Sequence, residues 1–357
     1  MYVKDFFRSF LVYLIISFLI IAFFSLWRTN ILEFSNVYEG TNLERLEHIS
    51  VRKTLLISLY ISFLLSLLSA IIDTFVLKTL VGKRSLGQVI LISALAQFLV
   101  IIFVIINASR FVIQIVFDAN PRVKNSILDV PDIIYIIVLM LISVAFARFI
   151  LEIDRKLGKG NLWLYLIGRF YKPREEDRIF MFLDLKSSTT IAEKIGHYKF
   201  SQLIQDCFSD LSVVERFDAQ VYQYVGDEVV LTWPAAKGLK NKRFLKAFFA
   251  FQSKLRSKNK YYKKKYGIVP EFKAGVNMGM CTVTEVGELK REICYHGDTL
   301  NTAARIEALC NEYEAELMIS ESLYDEIKNG LVYKFEETGQ LELKGKVNKV
   351  RVYKVSI

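Results

Sequence analysis

Apolar residues fall along this chain in two regimes that meet near residue 150. Before that point Leu, Ile, Val and Phe form long runs; beyond Arg155 they alternate with charge, as in a water-soluble α/β protein. Four runs, 10–27, 55–77, 89–106 and 133–150, approach the ~20 helical residues that cross a bilayer and carry no polar stripe. They predict a membrane domain of four transmembrane helices over 1–150. The first run follows Lys4 and Arg8, as in a secretory leader. It is long for a leader's apolar core and no Ala-x-Ala site follows, so it is expected to stay as an anchor.

The second half reads as alternating strands and helices. Residues 178–183 form a short apolar strand that ends at Asp184, with Ser187, Ser188 and Thr189 supplying helix-start chemistry. Thr190 followed by Glu193 fits a capping box. Phe200, Leu203, Ile204, Phe208, Leu211 and Val214 make the apolar stripe of the next helix. Residues 219–225 and 229–233 then read as two strands joined through Gly226, Asp227 and Glu228, a hairpin signal. A helix starting at Asp298 puts Asn301 and Arg305 on one face, and Ala303 and Ala304 let it pack closely. Residues 151–177, with Gly158, Gly160, Trp163 and Tyr165, are too short for a domain and too patterned for a flexible linker.

Charge adds orientation. Lys4 and Arg8 precede the first run, Lys78, Lys83 and Arg84 fill the second connection without an acid, and Arg155, Lys156 and Lys159 follow the fourth run. The first connection mixes its bases with Glu33, Glu39, Glu44 and Glu47. This bias predicts a cytoplasmic N-terminus and a cytoplasmic second half. Asp73 is the one acid inside a predicted span, near its cytoplasmic end. The net charge of +10 has a local source: residues 237–265 hold twelve Lys or Arg and no acid. Phe244, Phe248, Phe251 and Leu255 run through that stretch at helical spacing, which predicts an amphipathic helix with a basic face, solvated or close to the anionic inner leaflet. No recognition motif is interleaved with it, and no nucleic-acid partner is expected. Cys207, Cys281, Cys294 and Cys310 match neither a disulfide framework nor a zinc pattern and are expected to be free thiols. With three histidines in the chain, a His-based metal site is not expected.

Three segments of the second half carry the chemistry: the one holding Asp184, the Gly226–Asp227 turn, and the one running from His296 through Asn301 to Arg305. Together they supply two carboxylates, an amide and a guanidinium, a set suited to a divalent metal and a triphosphate. In this order they resemble the catalytic domain of the class III nucleotide cyclases, over 178–357. The resemblance implies a ferredoxin-like α+β fold behind a four-helix transmembrane domain, with 151–177 as a helical coupling linker. It further implies a bacterial inner-membrane protein, and ATP converted to cyclic AMP and pyrophosphate at a homodimer interface. Asp184 and Asp227 would hold two Mg2+ or Mn2+ ions per site, with Ser187, Ser188 and Thr189 beside the phosphates. Asn301 would orient the ribose and Arg305 would stabilise charge on the α-phosphate. Lys344 or Lys346 would contact the terminal phosphates.

The base-reading pair departs from the family pattern. Adenylate cyclases usually place Lys four residues before the second metal Asp, with Asp or Thr as its partner; guanylate cyclases place Glu and Cys. This chain has Gln223 and Cys294. Cys294 matches the guanylate type and Gln223 neither, and an amide can donate or accept. ATP is favoured by family frequency, with GTP the alternative and a pyrimidine triphosphate open. A silent nucleotide-binding sensor and a transporter with a regulatory soluble half are the competing functions. Retention of all four chemical residues opposes the first, and spans almost without polar residues oppose the second.

Overall fold

The structure is a computed structural model that describes residues 2–39, 51–77, 86–116, 130–158, 160–328, 332–341 and 350–357. It divides into two compact units, Met1–Lys156 and Leu157–Ile357.

The first unit is helical: α1 (Tyr2–Glu39), α2 (Val51–Ile71) running into a π-helical turn (Ile72–Leu77), α3 (Leu86–Val116) and α4 (Val130–Lys156). Among the described residues, three segments, Asp5–Trp27, Val51–Phe75 and Ile134–Asp154, are long and apolar enough to cross a membrane. The remaining run lies in α3, where Ala94–Asn107 is a shorter apolar stretch. Tyr13, Leu65, Val104 and Met140 fill the unit's interior, while Leu11, Ile15, Leu19 and Phe23 face outward. The second run does carry a polar stripe, contrary to its sequence reading: Ser58, Ser62, Ser66 and Ser69 line the buried side of α2, and the Ser66 hydroxyl returns to the Ser62 carbonyl at 2.7 Å. Asp73 is built into this interior: the Tyr13 hydroxyl donates to it at 2.5 Å and Arg148 lies 3.6 Å away. Arg8 pairs with Asp154. Lys78, Lys83, Arg84, Glu44, Glu47 and Lys159, which orient the sequence reading, lie outside the described residues.

The second unit opens with α5 (Asn161–Leu166), β1 (Arg174–Leu185), α6 (Ser188–Ile195), α7 (His197–Asp210), β2 (Gln220–Val225) and β3 (Glu228–Pro234). It continues through α8 (Ala235–Leu239), α9 (Arg243–Ser257), α10 (Asn259–Tyr266), β4 (Phe272–Val286), β5 (Glu292–His296) and α11 (Asp298–Leu309). It closes with β6 (Leu317–Ser320), α12 (Glu321–Ile327), β7 (Lys334–Leu341) and β8 (Val350–Ser356). Among the described residues these strands form one mixed sheet in the order β2-β3-β1-β4-β6-β8-β7, with β5 paired to β4. β1 lies antiparallel between β3 and β4, the arrangement of a β-α-β-β-α-β core; the β4–β6 pair is parallel.

One face of the sheet is dry because α7, α9 and α10 bury Leu203, Cys207, Phe244, Phe248, Phe251, Leu255 and Tyr262 against Ile179, Met181 and Trp233. The other receives α11, with Ala303 beside Phe180, Val230 and Cys281. The basic stretch is three helices rather than one. Asn241 and Lys242 take positive φ (57° and 54°) and break the chain before α9, and Lys258 breaks it again before α10. Several of its bases are internal staples: Lys258 bonds Asp210 at 2.5 Å, Lys265 bonds Asp206 at 2.9 Å, and Arg243 pairs with Asp218.

Candidate active site

β1 runs to Leu185, so Asp184 sits at the end of a central strand with Lys273 of β4 directly opposite in register. β3 flanks it on the other side, with Leu183 opposite Val229, which brings the β2–β3 turn to the same end of the sheet. Gly226 takes φ 61° there, a left-handed position glycine fills without strain, and Asp227 follows it into β3. Asp184, Asp227 and Glu228 thereby act on one another. Burial, then the charges of Glu307 and Asp227, push the Asp184 carboxyl up to about 6, against the pull of Lys273. Burial, then Glu307, Asp184 and Asp227, push Glu228 up to about 7. Carboxyl groups held this far up, near one end of a sheet, favour an added cation. Among the described residues no three His, Cys, Asp or Glu side chains are gathered closely enough to enclose a metal unaided. Asp184 and Asp227 offer carboxylate oxygens, donors of the kind a hard divalent ion takes together with oxygens of its ligand.

The helix beside Asp184 starts earlier than its capping signal implies. Ser187 adopts φ 55° and α6 begins at Ser188, so Thr190 already lies inside the first turn and no side-chain cap forms. The Lys186 amide is bonded to the Glu271 carbonyl at 2.9 Å, which pins the turn to the residue before β4. Ser187 and Thr189 are exposed and Ser188 half-buried, so the three lie at an accessible helix start next to the carboxylates.

α11 is stitched to β4 at its first turn. The Asn277 amide donates to the Thr299 carbonyl at 3.0 Å and the Thr299 hydroxyl to the Met280 carbonyl at 2.6 Å. One turn on, the helix backbone touches the strand: a Cβ on Gly275 would lie 2.0 Å from the Glu307 nitrogen and 2.5 Å from the Ala303 oxygen. Ala303, Ile306 and Glu307 are buried, whereas Asn301 is exposed and Arg305 half-buried. At 100° per residue, Asn301 and Arg305 each lie about 200° round the helix from Ala303. The Asn/Arg pair thus lies on the side of α11 away from the sheet that holds Asp184 and Asp227. One chain gathers the carboxylates but does not turn Asn301 and Arg305 toward them.

Gln223 and Cys294 come from strands brought near each other by an aromatic cluster. A bulge in β2 leaves Tyr222 without a partner in the ladder and sets exposed Gln223 opposite Val230. Tyr222 packs on Tyr295 of β5 with ring centroids 5.0 Å apart, and its hydroxyl accepts the Tyr295 amide at 3.4 Å and meets the Cys294 side chain. Beneath them buried Arg178 stacks 4.7 Å over Tyr295 and bonds Thr232, Glu176 and Gln220 at 3.0, 2.9 and 2.6 Å. Cys294 is half-buried, and Cys207, Cys281 and Cys310 are buried free thiols. Lys344 and Lys346 lie outside the described residues. Four residues close to these groups carry no sequence motif of their own in this role: Lys273, Glu307, Glu228 and Tyr222. Glu228 is the one with a signal, as the carboxylate next to Asp227.

The model of the adenylate and guanylate cyclase catalytic domain matches residues 170–356. Adenylate cyclase 2 of Rhizobium meliloti (strain 1021) is 31% identical over 205 residues, 57% of this chain and 56% of that protein. Receptor-type guanylate cyclase gcy-4 of Caenorhabditis elegans is 27% identical over 186 residues, 50% of this chain and 16% of its own length. The chain spans about half the length of the first relative and less of the second. The solved structure of a bacterial light-regulated adenylyl cyclase has the same fold, with TM-score 0.52 and 19% identity over 65% of this chain and 66% of that one.

Proposed function

This chain belongs to the adenylate and guanylate cyclase catalytic-domain family, and from that membership we propose that it is a membrane-anchored enzyme converting ATP to 3′,5′-cyclic AMP and pyrophosphate. The observation that carries the reading is the meeting of carboxylates at one end of β1 and β3, where the charge of Asp227 helps to hold Asp184 and Glu228 above their ordinary values. In the reaction the ribose 3′-oxygen attacks the α-phosphorus and the bond to the bridging oxygen of pyrophosphate breaks. Asp184 and Asp227 would hold Mg2+ or Mn2+, two per site, and bound there the ions would supply Lewis-acid activation of the hydroxyl and neutralise the polyphosphate. Arg305, permanently charged and fork-shaped, stabilises the charge that develops on the α-phosphate, and Asn301 orients the ribose. Ser187, Ser188 and Thr189 offer the start of α6 to phosphate oxygens. Lys344 or Lys346 takes the terminal phosphates.

Asn301 and Arg305 point away from their own chain's carboxylates, so a second copy must supply them. A two-fold homodimer then carries two composite sites, each with Asp184 and Asp227 of one chain and Asn301 and Arg305 of the other. The chain is organised as a four-span anchor over 1–150, a coupling segment over 151–177 and the catalytic domain over 178–357. It lies in the bacterial inner membrane with its N-terminus and catalytic domain in the cytoplasm. The second reading, GTP to cyclic GMP, is favoured by one feature, the half-buried Cys294 on β5.

Mixing two inactive full-length variants, Asp184→Asn and Arg305→Ala, tests the composite site. In a mixed dimer one site carries both lesions and the other neither. Random pairing predicts recovery of about a quarter of wild-type turnover, since half the dimers are mixed and each has one intact site. No recovery, although labelled chains are shown to exchange, would overturn the shared-site geometry.

A further inference from the structure

Lys273 is a buried base placed between two functional elements. It sits on β4 opposite Asp184, its side chain is 6% exposed, and its ammonium lies 3.3 Å from Asp184 Oδ2 and 2.7 Å from Glu307 Oε1. Glu307 is itself buried and belongs to α11, the helix whose other side carries Asn301 and Arg305. Removing charge from water is costly, and Lys273 bears that cost within reach of two carboxylates.

We propose that Lys273 is a positioning residue: its ammonium fixes the metal carboxylate Asp184 and, through Glu307, the helix that presents Asn301 and Arg305. The inference rests on the cyclase reading and deepens it. With the carboxylates otherwise crowding one another, Lys273 supplies a positive charge at this end of the sheet. It holds Oδ2 of Asp184 at 3.3 Å. Because Glu307 lies two residues beyond Arg305, the same ammonium also sets how α11 is seated on Gly275. One chain's metal carboxylate and its Asn/Arg pair, which serve different sites in the proposed dimer, are thereby held in one fixed relation.

The test uses full-length protein in detergent, with Mn2+ binding measured by titration calorimetry without nucleotide, alongside kcat and KM for ATP. Lys273→Met removes a positive charge next to the metal carboxylates. Mn2+ binding should tighten by at least about tenfold, because a unit charge within a few ångströms of a divalent ion repels it by more than that factor even in a polar surrounding. Lys273→Met with Glu307→Gln restores the local charge and relieves the buried, unpaired acid, so this variant guards against failure to fold. In it Mn2+ affinity should return to within about threefold of wild type, while kcat stays at least about tenfold down and KM changes little, the mark of lost positioning. Wild-type kcat in the double variant, or Mn2+ affinity unmoved in Lys273→Met, would overturn the proposal. A wild-type protein that binds Mn2+ but forms no cyclic product would instead sink the cyclase reading, and the calorimetry would still report on Lys273.

Discussion

Replacing Gly275 by Ala puts one methyl group where α11 lies against β4. The new Cβ would meet the Glu307 nitrogen at 2.0 Å, the Ala303 oxygen at 2.5 Å and the Glu307 Cα at 2.5 Å, all backbone atoms that no rotamer change can move. Ordinary contact begins at 3.4 Å, so relief needs a retreat of 3.4 − 2.0 = 1.4 Å along the worst direction. The helix is anchored at its first turn by Asn277 and Thr299, which makes its second turn the part that swings. Overpacking of this kind costs about 1–3 kcal/mol. In a unit of this size that lowers the melting temperature by roughly 2–12 °C. The larger effect falls on chemistry, because Arg305 and Glu307 ride on the displaced turn. Misplacing a catalytic group by about 1 Å costs on the order of a hundredfold in rate. Thermal melting and cyclic-nucleotide formation on the same preparation read both quantities. Wild-type kcat in a folded Gly275→Ala protein would refute the claim that close seating of α11 on Gly275 sets the site.

Two further outcomes follow from the site's charges and its base-reading strands. Asp184 and Glu228 bind protons more tightly folded (about 6 and about 7) than at their ordinary values of 3.8 and 4.5. Between those limits unfolding releases protons, so the stability of the metal-free protein falls as pH rises from about 4 to about 7 and levels off above it. Melting curves in chelator should show this decline and saturating Mn2+ should flatten it; a stability that rises with pH over that window would contradict the carboxylate cluster. Gln223→Lys with Cys294→Asp installs the adenylate pair and should raise the ATP-to-GTP ratio of kcat/KM by about one to two orders of magnitude, whereas Gln223→Glu should lower it. Unchanged ratios in both would remove these positions from base recognition.

The legible parts of this molecule were those written as local pattern. Phe182 to Asp184 and Gly226 to Glu228 show strand ends in sequence because a strand's apolar run and a turn's glycine are neighbours in the chain. The start of α11 at Asp298 and the buried stripe of α9 were readable for the same reason. What escaped depends on register and packing. Lys273 meets Asp184 only because β1 and β4 pair with that offset, and it meets Glu307 only because Gly275 admits the helix. Tyr222 reaches Tyr295 through a bulge that no spacing rule announces. The capping box at Thr190 failed because Ser187 turns left-handed and starts the helix three residues early. The basic stretch read as one helix because its apolar spacing is continuous, while the breaks at Asn241, Lys242 and Lys258 are set by backbone angles rather than hydropathy.

The central claim is that this chain cyclises a nucleoside triphosphate. The most direct measurement offers ATP, GTP, CTP and UTP separately to the purified full-length protein, with Mg2+ or Mn2+, and follows cyclic product and pyrophosphate. The account predicts cyclic AMP and pyrophosphate in equal amounts from ATP, abolished by Asp184→Asn. No cyclic product from any of the four with either metal would contradict it and leave a nucleotide-binding domain without turnover.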